Sequence, residues 1–342
     1  MAARPGDVTD APPPNASAEQ KRTDAKAGPP PGWLPHSFHR DADGTVCTDL
    51  SLRALAAAAN DQDGVLWVDV DSTNRHQHAV LEKVFRFHPL AIEDTLSPNS
   101  RVKYEEYDGY LFVIARGVKF AQETADPYDV ETLNLYFFLG RNFLVTVHGE
   151  GAEAVQAVLS RISGSPDMLA RGPAKLMHAV LDSAIDAYFP ILDCLDDFID
   201  DLEERVFNRY DEKALRDIFS VKRLVLTLRR HLAPQREVLN QLTNRPSDLL
   251  PPAAQVYYRD VYDHVLRIND SLDTYRELLS STLDSYLSQV SNRLSQSSKG
   301  LTVVATVTLP FVIMSGMWGM NFTHIPLGTR EHGFALLMVL QC

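Results

Sequence analysis

The sequence contains few cysteines and no GxxxxGK[ST] phosphate-binding loop. Three cysteines occur in 342 residues, Cys47, Cys194 and Cys342, and no two of them have CxxC spacing. An odd number of widely spaced cysteines favours isolated thiols in a reducing compartment over a disulfide framework or a zinc site. The sequence also lacks a GxxxxGK[ST] loop, so nothing in it points to nucleotide hydrolysis. We therefore expect no enzyme, no catalytic residues and no organic cofactor.

Basic residues are outnumbered by acidic ones. Lysine and arginine total 33, aspartate and glutamate total 45, and the formal net charge is -12. This balance disfavours a nucleic-acid partner and suits cations. Residues 1–35 are rich in Pro, Ala, Asp and Lys and have no apolar stretch of the kind a signal peptide requires, so we expect a disordered leader there.

Charged residues are absent from 301–320, whose sequence is LTVVATVTLPFVIMSGMWGM. An α-helix needs about twenty apolar residues to cross the hydrocarbon core of a bilayer, so 301–321 is predicted to be a transmembrane helix. Pro310 is tolerated in such a helix where a hydroxyl satisfies the carbonyl that it leaves free, and Thr306 and Thr308 are nearby candidates. A simple membrane anchor is the alternative interpretation.

The basic residues Arg293 and Lys299 precede the apolar run, while Arg330 after it is balanced by Glu331. By the positive-inside rule, this favours a cytoplasmic N-terminal part.

A heptad pattern leads directly into the apolar run. From Val261 to Leu294, apolar residues recur mostly at alternating steps of four and three, which is the spacing of a coiled-coil seam. The same phase continues to Val312, so we expect one helix face to pass from water into the bilayer and to line an axis shared by several copies. Such a helix, from about 253 to 320, would be about 100 Å long. A dimeric coiled-coil stalk on an anchored protein is the alternative.

The part ahead of this helix predicts an α/β fold. Strand character is present at 64–70, 109–118, 132–139 and 142–148, and helical patterns lie at 52–59 and 75–87. These segments form a predicted cytoplasmic α/β domain over 36–165. An acidic helix at 174–207 and a helix at 212–242 carrying Lys222, Arg223, Arg229 and Arg230 predict a hairpin with complementary charged faces over 166–250. A stalk helix over 251–300 follows.

Three stretches and one tripeptide carry a family resemblance. The stretches are HPLAIEDTLSPNSRVKYEEYDGYLFVIARG at 88–117, the YRDVYDHV segment at 258–292 and the apolar run at 301–322, and Gly319-Met320-Asn321 ends the transmembrane segment. With these features the chain resembles the CorA-type magnesium and cobalt channels over about 36–335. The resemblance implies a homopentameric, multi-pass protein of the plasma (inner) membrane, with a cytoplasmic funnel and a bilayer-embedded pore.

The resemblance also assigns the pore residues. Gly319, Met320 and Asn321 would form the selectivity filter, in which a ring of amide oxygens hydrogen-bonds a hydrated Mg²⁺ ion instead of stripping it. Asn321 as a helix C-cap is the alternative. The family's pore-lining positions, from the outer face inward, match Val312, Leu309, Leu301, Ser298 and Ser295. Family members often carry threonine at the first of these positions and a bulkier apolar residue at the fourth, so the resemblance leaves the inner gate open.

Two aspartates match the family's regulatory metal ligands. Asp94 and Asp260 would face each other across neighbouring subunits, and cytoplasmic Mg²⁺ bound between them would hold the channel closed. Mg²⁺ is then both the transported and the regulatory ion. Asp284 on the stalk would add an acidic ring that attracts cations. Without the resemblance, each of these aspartates would be interpreted as a solvated surface acid.

The function implied is passive uptake of Mg²⁺, with Co²⁺ or Ni²⁺ as further cargo. A zinc-transporting member of the same superfamily is one alternative, although Met320 favours magnesium, because zinc transporters usually differ there. The other is a membrane-anchored metal sensor or scaffold that does not conduct. That alternative arises because, after an extracytoplasmic loop at 322–332, residues 333–342 would supply only about 15 Å of an apparently truncated second transmembrane helix.

Overall fold

The computed structural model describes residues 32–97, 100–121, 129–208 and 211–318, and also positions 332, 333, 335, 336 and 339. The predicted filter at 319–321 lies outside the described residues, as do 1–31 of the predicted leader, 322–331 of the outer loop and six of the ten residues of the second helix. The chain divides into two compact units, one of 1–195 with 224–274 and one of 196–223 with 275–342.

A seven-stranded sheet forms the centre of the first unit. Its order is β2-β1-β3-β7-β6-β5-β4, in which β3 and β7 pair in parallel and the other neighbouring strands are antiparallel. The strands are β1 His36–Arg40, β2 Val46–Thr48, β3 Val65–Asp71, β4 Lys103–Tyr107, β5 Tyr110–Phe120, β6 Val130–Gly140 and β7 Phe143–His148. The four strands expected from apolar runs are β3, β5, β6 and β7. Strands β1, β2 and β4 were not expected, because they are short and largely polar.

Helices cover both faces of the sheet. Helices α1 Leu52–Ala59, α2 Arg75–Lys83 and α3 Pro89–Leu96 pack on one face, where Leu55, Leu81 and Ala91 join strand residues such as Val68 and Phe138 in the main hydrophobic core. The chain then passes through α4 Glu153–Gly164, a 3-10 helix Pro166–Arg171 and α5 Pro173–Asp186, and α5 contacts β3, β5, β6 and β7. The predicted α/β fold is confirmed.

A buried polar network lies within the sheet, on β3 and β7. Trp67 Nε1 donates to Thr146 Oγ1 at 3.1 Å, and the Thr146 hydroxyl donates to Asp69 Oδ1 at 2.5 Å. The other oxygen of Asp69 lies 3.1 Å from His148 Nε2. Burial alone would lower the pKa of His148, but the hydrogen bond and charge of Asp69 raise it above its ordinary value. The buried carboxylate is therefore satisfied on both oxygens.

The acidic helix expected at 174–207 is two helices, α5 and α6 Phe189–Asn208. Pro190 explains the break, because it has no N–H to donate to the carbonyl of Asp186 four residues earlier and its ring clashes with that carbonyl. Tyr188 fills the junction: it is fully buried, and its hydroxyl donates to the Arg116 carbonyl at 3.3 Å. Helix α7, Glu212–Asn244, follows close to its predicted bounds.

The charged faces of α6 and α7 pair differently from the prediction. Arg229 on α7 binds Asp273, which belongs to the following long helix, with 2.6 Å between the charged atoms. On α6, Arg205 binds Asp201, Asp211 and Asp217. The predicted hairpin has acids on α6 and bases on α7, whereas the pair between Arg205 of α6 and Asp217 of α7 has the opposite polarity and Arg229 is paired with Asp273 of the long helix. The acids of α6 at 193, 196, 197, 200 and 201 lie on its exposed side instead.

Helix α8 is a single element of 67 residues, Pro252–Trp318, that continues through Pro310. Within the described part of the chain, it is the one helix long and apolar enough to cross a membrane, and none of its most apolar window is buried in the chain. The Thr306 hydroxyl donates to the Thr302 carbonyl at 2.7 Å, one turn earlier. The Thr306 hydroxyl therefore does not satisfy the Thr306 carbonyl, which Pro310 leaves without its helical donor.

The first half of the predicted heptad seam is buried inside the chain itself. Val261, Val265, Ile268, Leu272 and Leu279 are all fully buried. Beyond them the buried stripe continues at Thr282 and Tyr286, whereas Leu287 and Leu294 are 54% and 64% exposed. The prediction that 261–279 form a seam between copies is therefore wrong. Heptad spacing arises from helix packing within one chain as well as from packing between chains. Only the later apolar residues remain available to another copy.

Candidate functional site

The five predicted pore-lining residues are uncovered on α8. Ser295, Ser298, Leu301, Leu309 and Val312 are all exposed, and Leu301 is 73% exposed. Leu287, Leu294 and Leu301 follow one another at seven-residue steps, so their side chains lie near one line on the helix. An exposed apolar row of this length requires lipid or another protein surface against it.

The backbone around Asp94 is fixed by capping at both ends of α3. The His88 side chain caps the first turn, Pro89 occupies the first helical position, and the His88 N–H donates to the Tyr110 hydroxyl at 2.9 Å. At the other end, the Ser100 hydroxyl donates to the Asp94 carbonyl at 2.8 Å. The carboxylate of Asp94 therefore projects from a short helix that is tied to strand β5.

Asp94 already has a cationic partner in its own chain. Lys103 Nζ lies 2.7 Å from Asp94 Oδ2 and 2.8 Å from Glu105 Oε1, and the Tyr107 hydroxyl donates to Glu105 Oε2 at 2.9 Å. Burial would lower the pKa of Lys103, but hydrogen bonds to Asp94 and Glu105 raise it. Sequence reasoning missed this partner, although the Asp108-Gly109 turn predicts the hairpin that brings Lys103 and Glu105 onto one strand.

Asp260 lies in the third turn of α8 and is exposed. The neighbouring Tyr258 is fully buried, and its hydroxyl donates to the Ala174 carbonyl on α5 at 2.6 Å. Val256 and Tyr257 flank the carboxylate and are 63% and 44% exposed. Tyr258 therefore anchors the start of α8 while Asp260 faces outward from an apolar surface.

A second group of possible metal ligands lies between α5 and α8. One ligand atom from each of Asp182, Asp186 and His264 lies within 4.8 Å of the others. His264 Nδ1 is 3.2 Å from Asp186 Oδ1 and is buried without a hydrogen bond. Burial, together with the negative charge of Asp186, raises the pKa of Asp182. Two carboxylates and one imidazole suit a divalent cation and would relieve this repulsion.

The helical spacing of this cluster was visible in the sequence. Asp182 and Asp186 are four residues apart, as are Asp260 and His264, so each pair shares one helix face. The cluster is also coupled electrostatically to Asp260, because the negative charge of Asp260 acts to raise the pKa of both Asp182 and His178. What the sequence did not reveal is that α5 and α8 pack together at this point.

Asp284 stands apart from these groups. It is exposed, and in the described residues its carboxylate forms no ion pair. Its backbone carbonyl accepts a hydrogen bond from Ser288 at 2.9 Å. Among the described residues, Asp284 belongs to no group of three or more possible metal ligands.

Known proteins share this architecture. The family model for the CorA-like Mg²⁺ transporter protein matches residues 62–342. The chain is 29% identical over 338 residues to the cobalt/magnesium transport protein CorA of Thermotoga maritima, with 94% of this chain and 95% of that protein covered. It is 22% identical over 308 residues to the zinc transport protein ZntB of Yersinia enterocolitica, covering 89% of this chain and 90% of that one.

The fold is also similar to the complete structure of the CorA magnesium transporter from Methanocaldococcus jannaschii. The TM-score is 0.75 at 23% sequence identity, with 89% of this chain and 93% of that chain covered. The family resemblance carried by the stretches at 88–117, 258–292 and 301–322 is thereby confirmed. The chain belongs to the CorA-like Mg²⁺ transporter family, whose members are membrane-localised transporters of divalent cations rather than enzymes.

Proposed function

We propose that this chain forms a homopentameric channel through which Mg²⁺ enters the cell passively. A pentamer is typical of the family. The observation that carries the proposal is the uncovered row from Leu287 to Val312 on one unbroken helix, because five such rows would enclose an axis through the bilayer. No ATP is required, because a divalent ion gains roughly 4 to 5 kcal/mol per 100 mV on entering a negative compartment.

Ion selection is assigned to Gly319, Met320 and Asn321. A ring of Asn321 amide oxygens can accept hydrogen bonds from the water shell of Mg²⁺, which the ion sheds reluctantly. Carboxylates at this position would bind the ion too tightly for rapid release.

The filter is tested by Mg²⁺ uptake into proteoliposomes loaded with a fluorescent Mg²⁺ indicator. Asn321→Ala should abolish selective uptake while leaving the oligomer intact by size-exclusion chromatography. Asn292→Ala is the matched control, because Asn292 is an exposed asparagine of α8 ahead of the apolar run. Uptake by the Asn321 variant equal to that of the control would refute the assignment.

Regulation is assigned to Mg²⁺ held between Asp94 of one copy and Asp260 of the next. Each aspartate lies beside large exposed apolar side chains, with Leu90 and Leu96 on α3 and Val256 and Tyr257 on α8. Such patches mark contacts between proteins. Because the two patches differ, their contact is heterologous, and a contact of this kind generates a ring when the rotation closes.

Bound Mg²⁺ would neutralise the two facing carboxylates and stabilise the closed ring, whereas its loss would leave repulsion between copies. Asp182, Asp186 and His264 would hold a second cation near the same contact. The exposed acids of α6 and Asp284 would raise the local concentration of cations.

Asp260→Lys should weaken inhibition of uptake by internal Mg²⁺. Asp263→Lys, which makes the same change at an exposed position one turn along α8, should leave it unchanged. Inhibition that is identical in the two variants would show that Asp260 is not part of the regulatory contact.

Zinc transport is the second candidate, since the ZntB protein of Yersinia enterocolitica is also similar and His264 supplies an imidazole ligand. Flux measured with Mg²⁺, Co²⁺ and Zn²⁺ separately decides between them, and Met320 favours Mg²⁺. A non-conducting sensor or scaffold would bind these metals in the same preparation and show no flux of any of them.

A further inference from the structure

The ammonium group of Lys103 binds the carboxylate of Asp94, which the proposed function assigns as a ligand of the regulatory Mg²⁺ ion. We infer that Lys103 is an internal competitor for Asp94, which it holds when Mg²⁺ is scarce and releases when Mg²⁺ binds. Lys103 would thereby set the Mg²⁺ concentration at which the protein responds. This inference rests on the proposed role of Asp94.

The contact is a charge-assisted hydrogen bond rather than a loose surface pair. Lys103 Nζ lies 2.7 Å from Asp94 Oδ2, and the two side chains are 29% and 30% exposed. The ammonium also lies 5.4 Å from the centre of the Phe112 ring, which restricts it further. Among the described residues, the second oxygen, Asp94 Oδ1, has one long contact, of 3.5 Å, with the Ser100 hydroxyl. A metal ion therefore has access to one oxygen but meets the ammonium at the other.

The two cations cannot share Asp94 without cost. Mg²⁺ binds carboxylate oxygens at about 2.1 Å, so it would lie within a few ångströms of an ammonium that remained in place. At that separation the two positive charges repel each other strongly in a half-buried setting. Mg²⁺ binding is therefore coupled to withdrawal of Lys103.

Glu105 provides a place to which Lys103 withdraws. Its Oε1 is already 2.8 Å from Lys103 Nζ, so the ammonium keeps a carboxylate partner after it leaves Asp94. The flexible lysine stem allows this shift, whereas the planar guanidinium of arginine would hold Asp94 more rigidly. The three groups carry a summed charge of -1 in the absence of metal. When Asp94 binds Mg²⁺ instead, the remaining pair of Lys103 and Glu105 is neutral.

The expected size of the effect follows from the partial exposure of the pair. An ion pair of this kind shifts an equilibrium by up to about fivefold. Removing the competitor should therefore strengthen Mg²⁺ binding by about three- to fivefold. If Lys103 instead positioned Asp94 for the metal, removing it would weaken binding, so the sign of the change separates the two roles.

The test is calorimetric titration of MgCl₂ into the full chain in detergent, with the Mg²⁺-induced rise in thermal unfolding midpoint as the second readout. Lys103→Met keeps the apolar stem and removes the charge. Lys119→Met is the matched control, because Lys119 binds Glu131 at 3.1 Å on the same sheet. The Lys103 variant should bind Mg²⁺ about three- to fivefold more tightly, and the control should match the wild type.

Glu105→Gln gives an independent check with the opposite sign. It weakens the alternative partner of Lys103, so the ammonium should hold Asp94 more firmly and Mg²⁺ should bind more weakly. Binding by the Lys103→Met variant that is unchanged or weaker overturns the competition, and so does stronger binding by the Glu105 variant.

Asp94→Asn separates this inference from the function on which it rests. If that variant binds Mg²⁺ like the wild type, then Asp94 is not a ligand, and both the competition and the proposed regulatory site fail. If it binds more weakly while Lys103→Met is unchanged, then the regulatory site stands and only the competition is refuted.

Discussion

The hydroxyl of Tyr258 should determine how firmly the start of α8 is held. Tyr258 is fully buried, and its hydroxyl donates to the Ala174 carbonyl at 2.6 Å. Tyr258→Phe removes this bond and little volume. A net hydrogen bond contributes about 1 kcal/mol. Because Ala174 lies in the first turn of α5, its carbonyl keeps an intrahelical partner, and the cost should stay near that value instead of reaching the larger penalty of an orphaned buried group.

The assay is hydrogen–deuterium exchange of the full chain, resolved at peptides spanning 252–264. A loss of about 1 kcal/mol corresponds to roughly fivefold faster exchange where local opening controls the rate. The control is Tyr257→Phe, next in sequence but 44% exposed, whose hydroxyl accepts a long hydrogen bond of 3.4 Å from Lys175 Nζ. Its exchange should stay within about twofold of wild type. Equal exchange in the two variants would refute the anchoring role of Tyr258.

Three further predictions concern the packing and charges of the fold. The raised pKa of His148 means that its pairing with Asp69 adds stability below the ordinary histidine pKa, and this stability is lost as pH rises through the folded value. Asp69→Asn should flatten that part of the stability–pH curve, measured by urea unfolding with tryptophan fluorescence, and an unchanged slope would contradict it. Leu272→Ala should cost about 2–5 kcal/mol because the side chain is fully buried, whereas the largely exposed Leu294 should tolerate alanine within about 0.5 kcal/mol in the same assay. Gly109 has a φ of 85°, so Gly109→Ala should destabilise the β4–β5 hairpin by about 1–2 kcal/mol, and Gly109→Asn by less, judged by exchange across 103–115.

Periodicity predicted those parts of the fold that bury long apolar runs. Strands β3, β5, β6 and β7 were expected because their apolar runs are buried. Strand β4, with the sequence KYEEY, carries little apolar signal, and its place is set by antiparallel pairing with β5. The same limit applies to Lys103. Its contact with Asp94 depends on how α3 packs beside β4, which neither segment encodes alone.

The long helix shows why the heptad pattern was misleading. The pattern specified which residues of α8 are apolar but not what covers them. Leu272 packs inside its own chain, whereas Leu294 is uncovered. The one-residue shift of the buried stripe to Thr282 and Tyr286 depends on tertiary contacts, such as the hydrogen bond between the Thr282 hydroxyl and Glu203 Oε1 at 3.3 Å. The cluster of Asp182, Asp186 and His264 was hidden for the same reason.

The continuation of α8 through Pro310 determines where that helix bends most easily. The proline ring contributes no N–H, so the backbone hydrogen bond to the Thr306 carbonyl is missing, and the Thr306 hydroxyl donates to the Thr302 carbonyl one turn earlier. Elsewhere in the helix a bend must weaken a backbone hydrogen bond, whereas at this turn that hydrogen bond is already absent. A bending force on α8 would therefore produce its largest angular change between Leu309 and Val312.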